Sequence, residues 1–369
     1  MTRVLIAPVT VTPTKALTPS HVKGLLWVDV MYRATALTAE TTYRYSTTTY
    51  NVTAQTLGYW EYLDRAVGDT DFSGYGEEEL SAWYVRYQAE ERRAPAAALR
   101  PYLLAVEQTG WVHPASARLL ELWAGHYARL GLHDPGLTEV QPPGLTVEET
   151  IEQLSVRALC LDCRGDGGPV YLDLTRHGMP LRQIVDRAGQ PNFLTAALRE
   201  LVPLVHRYDE IVLVHDRELT QDYLLLQRLL GLLGGTVVRD CVDRVPIDGV
   251  VRSSRFGGQQ GHTVPALLDM CAEVEPDVLR LGLRLYFIAV LGRGRDQSFR
   301  ADLLRQNMDR ARRLLRRGEP ARPESEVVGF LERHRSTGNR HVDPYRLTSA
   351  LLNRRSRAQV PDLAERVYC

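Results

Sequence analysis

A chain of 369 residues with 44% hydrophobic and 24% charged side chains has the make-up of an ordinary globular protein, with room for two domains or one elaborated one. Its 45 basic residues balance 45 acidic ones, so no bulk field draws it to DNA or to a membrane surface, although a local basic face stays open. No uninterrupted apolar run is long enough to span a bilayer and no basic segment leads into an apolar core at the start, so no membrane partner is expected and a cytoplasmic location is. In chain order, the β-branched run Val4 to Val11 predicts a strand. A loop and a helical pattern carried by Leu25, Leu26, Val28, Val30 and Met31 come next, and then a second β-branched run, Thr41 to Val52. This is the start of a βαβ unit. The stretch from about Asp69 to Arg164 is mostly helical, with Ser116 to Leu130 its strongest segment. It ends among the turn-rich Pro142-Pro143-Gly144 and Arg164-Gly-Asp-Gly-Gly168. Strand and helix then alternate again: Val170 to Leu174 a strand, Asn192 to Val205 a helix, Glu210 to Val214 a strand, Asp222 to Leu233 a helix, Thr236 to Val238 a strand.

The pattern predicts an α/β protein, a split Rossmann-type doubly wound parallel sheet with a helical insertion and a short helical tail. The expected divisions are 1–65 for the first half of the sheet domain, 66–165 for the insertion, 166–275 for the second half, and 276–369 for the tail. Five cysteines, Cys160, Cys163, Cys241, Cys271 and Cys369, are odd in number and sparse, which argues against a disulfide framework. Cys160-Leu-Asp-Cys163 has metal-ligand spacing, but structural zinc takes four ligands and only His177 stands close in sequence. Two ordinary thiols, and no metal, are the expectation. The oligomeric state is not legible.

The most informative stretch is Thr18-Pro19-Ser20-His21-Val22-Lys23-Gly24-Leu-Leu-Trp-Val-Asp29-Val-Met-Tyr-Arg33. It resembles the signature of class I aminoacyl-tRNA synthetases, in which the first strand leads to His-x-Gly-His and a helix reading Leu-Arg-Gly-x-x-x-x-Asp-Val-x-x-Arg. His21 falls on the second histidine; Thr18 replaces the first and Ser20 the glycine. A second resemblance is Asp248-Gly-Val-Val-Arg252-Ser253-Ser254-Arg255-Phe256-Gly257-Gly258, which stands where the family has its Lys-Met-Ser-Lys-Ser loop. Ser253 and Gly257 match, while both lysines are gone. A third is Pro276-Asp277-Val-Leu-Arg280-Leu-Gly-Leu-Arg284 and the later Gln297-Ser-Phe299-Arg-Ala-Asp302, similar to the helix and turn that follow that loop.

The resemblance implies amino-acid activation with ATP, and Mg2+ as the nucleotide's counter-ion. The implied catalytic residues are His21, Thr18, Arg252 and Arg255. The implied nucleotide-binding residues are Ser20, Lys23, Gly24, His215, Asp216, Ser253, Ser254 and Gly257. Such chemistry is positioning plus stabilisation of charge on phosphoryl oxygens. A helix N-terminus after a strand suits that task, because its orphan N–H groups and dipole favour phosphate. Losing one charge-stabilising donor typically costs about 10²–10³ in rate, and arginine replaces lysine there only by moving the charge. The tail is smaller than the family's anticodon-reading domains and the insertion too short for an editing domain. These departures imply a relative recruited for other work, with three readings open. One is an ATP-dependent amide ligase of specialised metabolism joining an amino acid to a small amine acceptor. Another is a transferase drawing aminoacyl groups from charged tRNA without ATP. The third is a non-catalytic paralogue that binds an amino acid or tRNA.

Overall fold

The computed structural model describes residues 2–251, 261–293, 297–316, 323–352 and 363–369. Strand β1 (Arg3–Pro8) leads through a loop to helix α1 (Pro19–Ala36), which returns the chain to β2 (Glu40–Tyr43), parallel to β1. A long excursion follows with α2 (Thr47–Asn51), α3 (Ala54–Ala66), α4 (Glu77–Ala89), α5 (Ala96–Thr109), α6 (Pro114–Leu130) and α7 (Val147–Ser155). Three short strands, β3 (Cys160–Asp162), β4 (Val170–Leu172) and β5 (Arg182–Val185), then precede α8 (Phe193–Leu201). The first sheet resumes with β6 (Glu210–His215), α9 (Thr220–Leu232) and β7 (Val237–Cys241). Helices α10 (Val264–Asp269), α11 (Pro276–Arg284), α12 (Ala301–Leu315), α13 (Glu324–Glu332) and α14 (Pro344–Leu352) follow.

The parallel sheet has strand order β2-β1-β6-β7, so the chain leaves β1 toward one edge and β6 toward the other. Right-handed crossovers in opposite directions put their helices on opposite faces, and the alternation of side chains along the strands agrees. Val4, Ile6, Val212 and Val214 pack with α1 and the C-terminal helices. Leu5, Ala7, Ile211 and Leu213 pack with α8 and α9. The protein is therefore α/β with a doubly wound, split Rossmann-type sheet, and its topological switch point lies between β1 and β6. Ligands bind such sheets at that point, beyond the carboxyl ends of the strands. The helical excursion has a core of its own, rich in aromatic residues: Tyr59, Trp60, Phe72, Tyr84 and Tyr87.

Helix α1 is buried on nearly every side, which is where a helix without a polar face belongs. Several of its polar residues are paired. Trp27 Nε1 donates to Asp240 Oδ2 at 2.7 Å. Asp29 accepts from Arg284 at 2.6 Å, from Arg33 at 3.0 Å and from the backbone N–H of His133 at 2.8 Å. Arg284 and Arg33 also donate to the Gly131 carbonyl, at 2.9 and 2.8 Å, and Arg284 to that of Leu130 at 3.0 Å. Those carbonyls end α6, whose last turn has no intrahelical donors, and cations are favoured there by the helix dipole. One carboxylate and two guanidinia thus lock α1, α6 and α11 together.

Three expectations are revised. The run Thr41 to Val52 is a strand only to Tyr43; Ser46 then caps a short helix by accepting from Thr49 N at 3.2 Å. Local capping and burial override the β propensity of Thr47, Thr48 and Thr49. The strand beginning at Val170 does not rejoin the parallel sheet; β3, β4 and β5 form a separate antiparallel one. Finally, the helix expected to Val205 ends at Leu201 and tightens into a 3₁₀ turn over Val202–Arg207, because Pro203 has no N–H to continue the ladder.

Candidate functional site

A cleft of about 520 Å³ opens at the switch point. Its floor is the chain leaving β1, Val9 to Lys15, and one side is the turn after β6 with Asp216, Glu218 and Leu219. The opposite side comes from the start of α3 with Tyr50 and Tyr84, and the end wall from Gln183, Asp186, Gln190 and Asn192. His21 and Arg244 complete it.

His21 enters from the first turn of α1. Thr18 is the N-cap and Pro19 takes the first helical position, where a missing N–H costs nothing. His21, at the third position, fills the role a glutamate or glutamine has in a capping box. Its Nδ1 accepts the Thr18 backbone N–H at 3.1 Å and lies 3.2 Å from the Thr18 hydroxyl. An N–H can only donate, so Nδ1 is unprotonated and the ring proton sits on Nε2. Burial, then Lys15 and Arg244, push the imidazole down to about 3. The ring is therefore a neutral donor across the physiological range.

Two cations flank it. Lys15 Nζ lies 5.6 Å from the centre of the Tyr84 ring, and its loop is tied to α4 by Ala16 N donating to Ser81 Oγ at 2.6 Å. Arg244 binds Asp216 at 2.8 Å and Glu218 at 2.9 Å. Asp216 in turn caps the following 3₁₀ turn through the N–H groups of Glu218 and Leu219. Two groups in the cleft wall have unused capacity: Thr10 Oγ1 and Gln190 Oε1 are buried with no hydrogen-bond partner among the described residues. Buried polar atoms are ordinarily paired, so these suit a ligand.

The remaining candidates sit elsewhere. Ser20 is a stitch: its Oγ accepts from Val245 N at 3.0 Å and donates to Val245 O at 3.4 Å, tying α1 to the segment after β7. Lys23, two positions beyond His21, points away from the cleft. It is 1% exposed, and burial lowers its pKa to about 8 against the opposing pull of Asp243 and Cys241. Gly24 is not needed for close approach, since a Cβ there would meet nothing within 4 Å. His215, at the end of β6, is buried against Tyr223 with ring centres 4.7 Å apart, and its Nδ1 donates to the Asp216 carbonyl at 2.7 Å. Burial lowers its pKa as well.

Arg252, Ser253, Ser254, Arg255 and Gly257 lie outside the described residues. The turn before them is clear: Ile247 and Val250 pair across Asp248 and Gly249, both at positive φ, and Gly249 N donates to Ser298 Oγ at 2.8 Å. Two central residues at positive φ make the tight hairpin turn that asparagine, aspartate and glycine favour. Free thiols at Cys160 and Cys163 have no metal-binding cluster around them among the described residues. In the tail, His334 packs on Phe330 at 4.3 Å between ring centres, and Arg335 pairs with Glu332. No helix of the described residues is long and apolar enough to cross a membrane.

Residue-level reading of the sequence missed Lys15, Arg244, Asp186 and Gln190. Lys15 left a signal: it is one of only two lysines and stands three residues before Thr18. The others come from turns with no periodicity to mark them.

No protein-family model matches the sequence, and no curated protein matches it. Solved structures do. The arginyl-tRNA synthetase of Thermus thermophilus superposes with a TM-score of 0.57 at 14% identity, over 100% of this chain and 71% of its own. That of Plasmodium falciparum gives 0.53 at 12% identity, over 99% and 68%. A Campylobacter jejuni protein assigned as an arginyl-tRNA synthetase gives 0.47 at 14% identity, over 77% of this chain and 63% of its own. The chain thus spans about two thirds of the length of these structures. The first two likenesses show the fold, which is that of a class I aminoacyl-tRNA synthetase core.

Proposed function

We propose that the protein is an ATP-dependent ligase that activates an amino acid as its adenylate and passes the acyl group to a small amine, apart from translation. The observation that carries this reading is the meeting of Lys15, Arg244 and His21, whose ring proton is on Nε2, in one cleft at the switch point. In adenylation a carboxylate oxygen bonds to the α-phosphorus, the bond to pyrophosphate breaks, and pyrophosphate leaves with the electron pair. Charge grows on the phosphoryl oxygens, and donors held in place before the reaction stabilise it without reorganising. His21, locked by Thr18, supplies a neutral N–H; Lys15 supplies a positive charge. Arg244 supplies a planar one, part of it engaged by Asp216 and Glu218. In this reading Arg252 and Arg255 act from the second loop, and Mg2+ accompanies the nucleotide.

The fold relatives are arginyl enzymes, so arginine is the first amino acid to test. The decisive assay is amino-acid-dependent exchange of pyrophosphate into ATP across the common amino acids. Exchange with at least one of them, falling about 10²–10³-fold in His21→Ala, is the expected outcome. The same fold likeness supports a second reading, transfer from charged tRNA without ATP. Absence of exchange with every amino acid, together with co-purified charged tRNA released by high salt, favours that reading instead.

A further inference from the structure

A second cavity, of about 360 Å³, lies between α3, α4 and the turn that follows β5. It shares Ala54, Gln55, Asp186 and Gln190 with the main cleft, so those side chains border both. The junction is polar and fixed. Asp186 Oδ1 accepts the backbone N–H groups of Ala188 and Gln190, each at 2.8 Å, which orients the carboxylate and leaves Oδ2 outside those bonds. Gln190 is 7% exposed, and its Oε1 has no partner among the described residues. A buried amide oxygen in a cavity wall calls for a donor. On the same smaller cavity stands Arg93, lying over the Tyr87 ring at 4.9 Å and donating to the carbonyls of Tyr87 at 2.9 Å and Gln88 at 3.4 Å. Gly58 makes room for that ring: a Cβ there would come within 2.6 Å of the Tyr87 hydroxyl.

We infer that this side cavity is the acceptor subsite of the ligase proposed above, and that its substrate is a primary amine bearing a carboxylate, the chemistry of an amino acid. The ammonium meets Asp186 Oδ2 and Gln190 Oε1, and the carboxylate meets the Arg93 guanidinium. The inference rests on the adenylating reading, which supplies the acyl donor. In the transfer, the ammonium first loses a proton to solvent by way of Asp186. The amine nitrogen attacks the acyl carbon, the C–N bond forms, and the bond from that carbon to the phosphate oxygen breaks. AMP leaves with the electron pair, and the nitrogen releases a second proton to give the amide.

The test uses the full chain and whichever amino acid supports pyrophosphate exchange. Hydroxylamine, small enough to need no subsite, traps the adenylate as hydroxamate. The common amino acids and their decarboxylated amines are offered as acceptors, and amide is measured against hydroxamate for each variant. Asp186→Asn keeps an Oδ1 for the turn and is expected to lower amide relative to hydroxamate by roughly 10–100-fold, the range for a hydrogen bond to a charged group. Arg93→Ala, at an exposed site, is expected to raise KM for the amino acid acceptor about tenfold and leave that for its decarboxylated amine within about twofold. An unchanged amide-to-hydroxamate ratio in Asp186→Asn overturns the inference while the adenylating reading stands. So does an Asp186→Asn defect confined to KM for the activated amino acid in exchange, which assigns the carboxylate to that substrate. Equal effects of Arg93→Ala on both acceptors overturn the carboxylate requirement. Absence of exchange in the unaltered protein overturns the reading and the inference with it.

Discussion

The two ends of α1 are built to different ends. Its second half, from Trp27 to Arg33, is a set of closed polar pairs: Trp27 with Asp240, and Asp29 with Arg284 and Arg33. Its first turn, from Thr18 to His21, fixes a ring that lines the cleft and, through Ser20, stitches the helix to the segment after β7. The same contrast runs through the resemblance to class I synthetases. Asp29 and Arg33 stand where the family pattern has them, in the half that holds α1 to α6 and α11. Thr18 and Ser20 depart from it, in the half whose His21 lines the cleft. A scaffold half tolerates little, because each buried charge depends on its partner. The first turn carries no buried charge pair of that kind.

That comparison breaks or sharpens on four substitutions. Asp29→Ala leaves Arg284, 0% exposed, without its carboxylate, and should cost about 3–5 kcal/mol in a urea melt. A midpoint close to that of the unaltered protein would show that the scaffold half is not held by this network. Lys15→Ala should do the reverse. Exchange is expected to fall about 10²–10³-fold while the melt stays in place, and a matching loss of stability would put Lys15 with the scaffold. Gly282→Ala probes the scaffold through packing, since a Cβ there would come 2.3 Å from Met308 Sδ and 3.1 Å from Met308 Cα. Forcing α11 from α12 should cost about 1–3 kcal/mol, again by urea melt.

The smallest effect on stability at neutral pH belongs to His21→Gln, in which glutamine keeps an acceptor for Thr18 N–H and stability changes by less than about 1 kcal/mol. Its value lies in acid. His21 is held at about 3 in the fold against 6.5 in the unfolded chain, so between those values the unfolded chain binds more protons. Stability therefore falls as pH falls through that window, and the glutamine variant lacks this contribution. Urea midpoints at pH 7 and pH 4.5 should show the unaltered protein losing ground to the variant; parallel shifts would mean His21 titrates normally.

Periodicity made β1, α1, β6 and α9 legible, because each has the apolar pattern of an element buried in a doubly wound sheet. It did not say which sheet β4 joins, since Val170–Leu172 reads as a strand whatever its partner. Nor did it show that Thr47 to Asn51 turns helical, a result set by Ser46 and by tertiary burial. At the site, the motif pattern brought His21 to notice, while its capping bond and tautomer needed the backbone of Thr18 in place. Lys23 attracted attention through the same motif pattern, but two residues along a helix turn a side chain to another face. Arg244 and Asp186 reach the cleft from distant segments that only the assembled sheet brings together.

The scarcity of lysine has a practical side. Of two ε-amines in the chain, Lys23 is sealed inside and Lys15 stands partly open at the cleft. An acylating probe such as an active ester therefore meets, besides the α-amine, one partly open lysine, and meets it beside His21. The cleft carries its own attachment point for a fluorophore or a crosslinker, with no cysteine to introduce, and protection of Lys15 from labelling becomes a direct readout of occupancy.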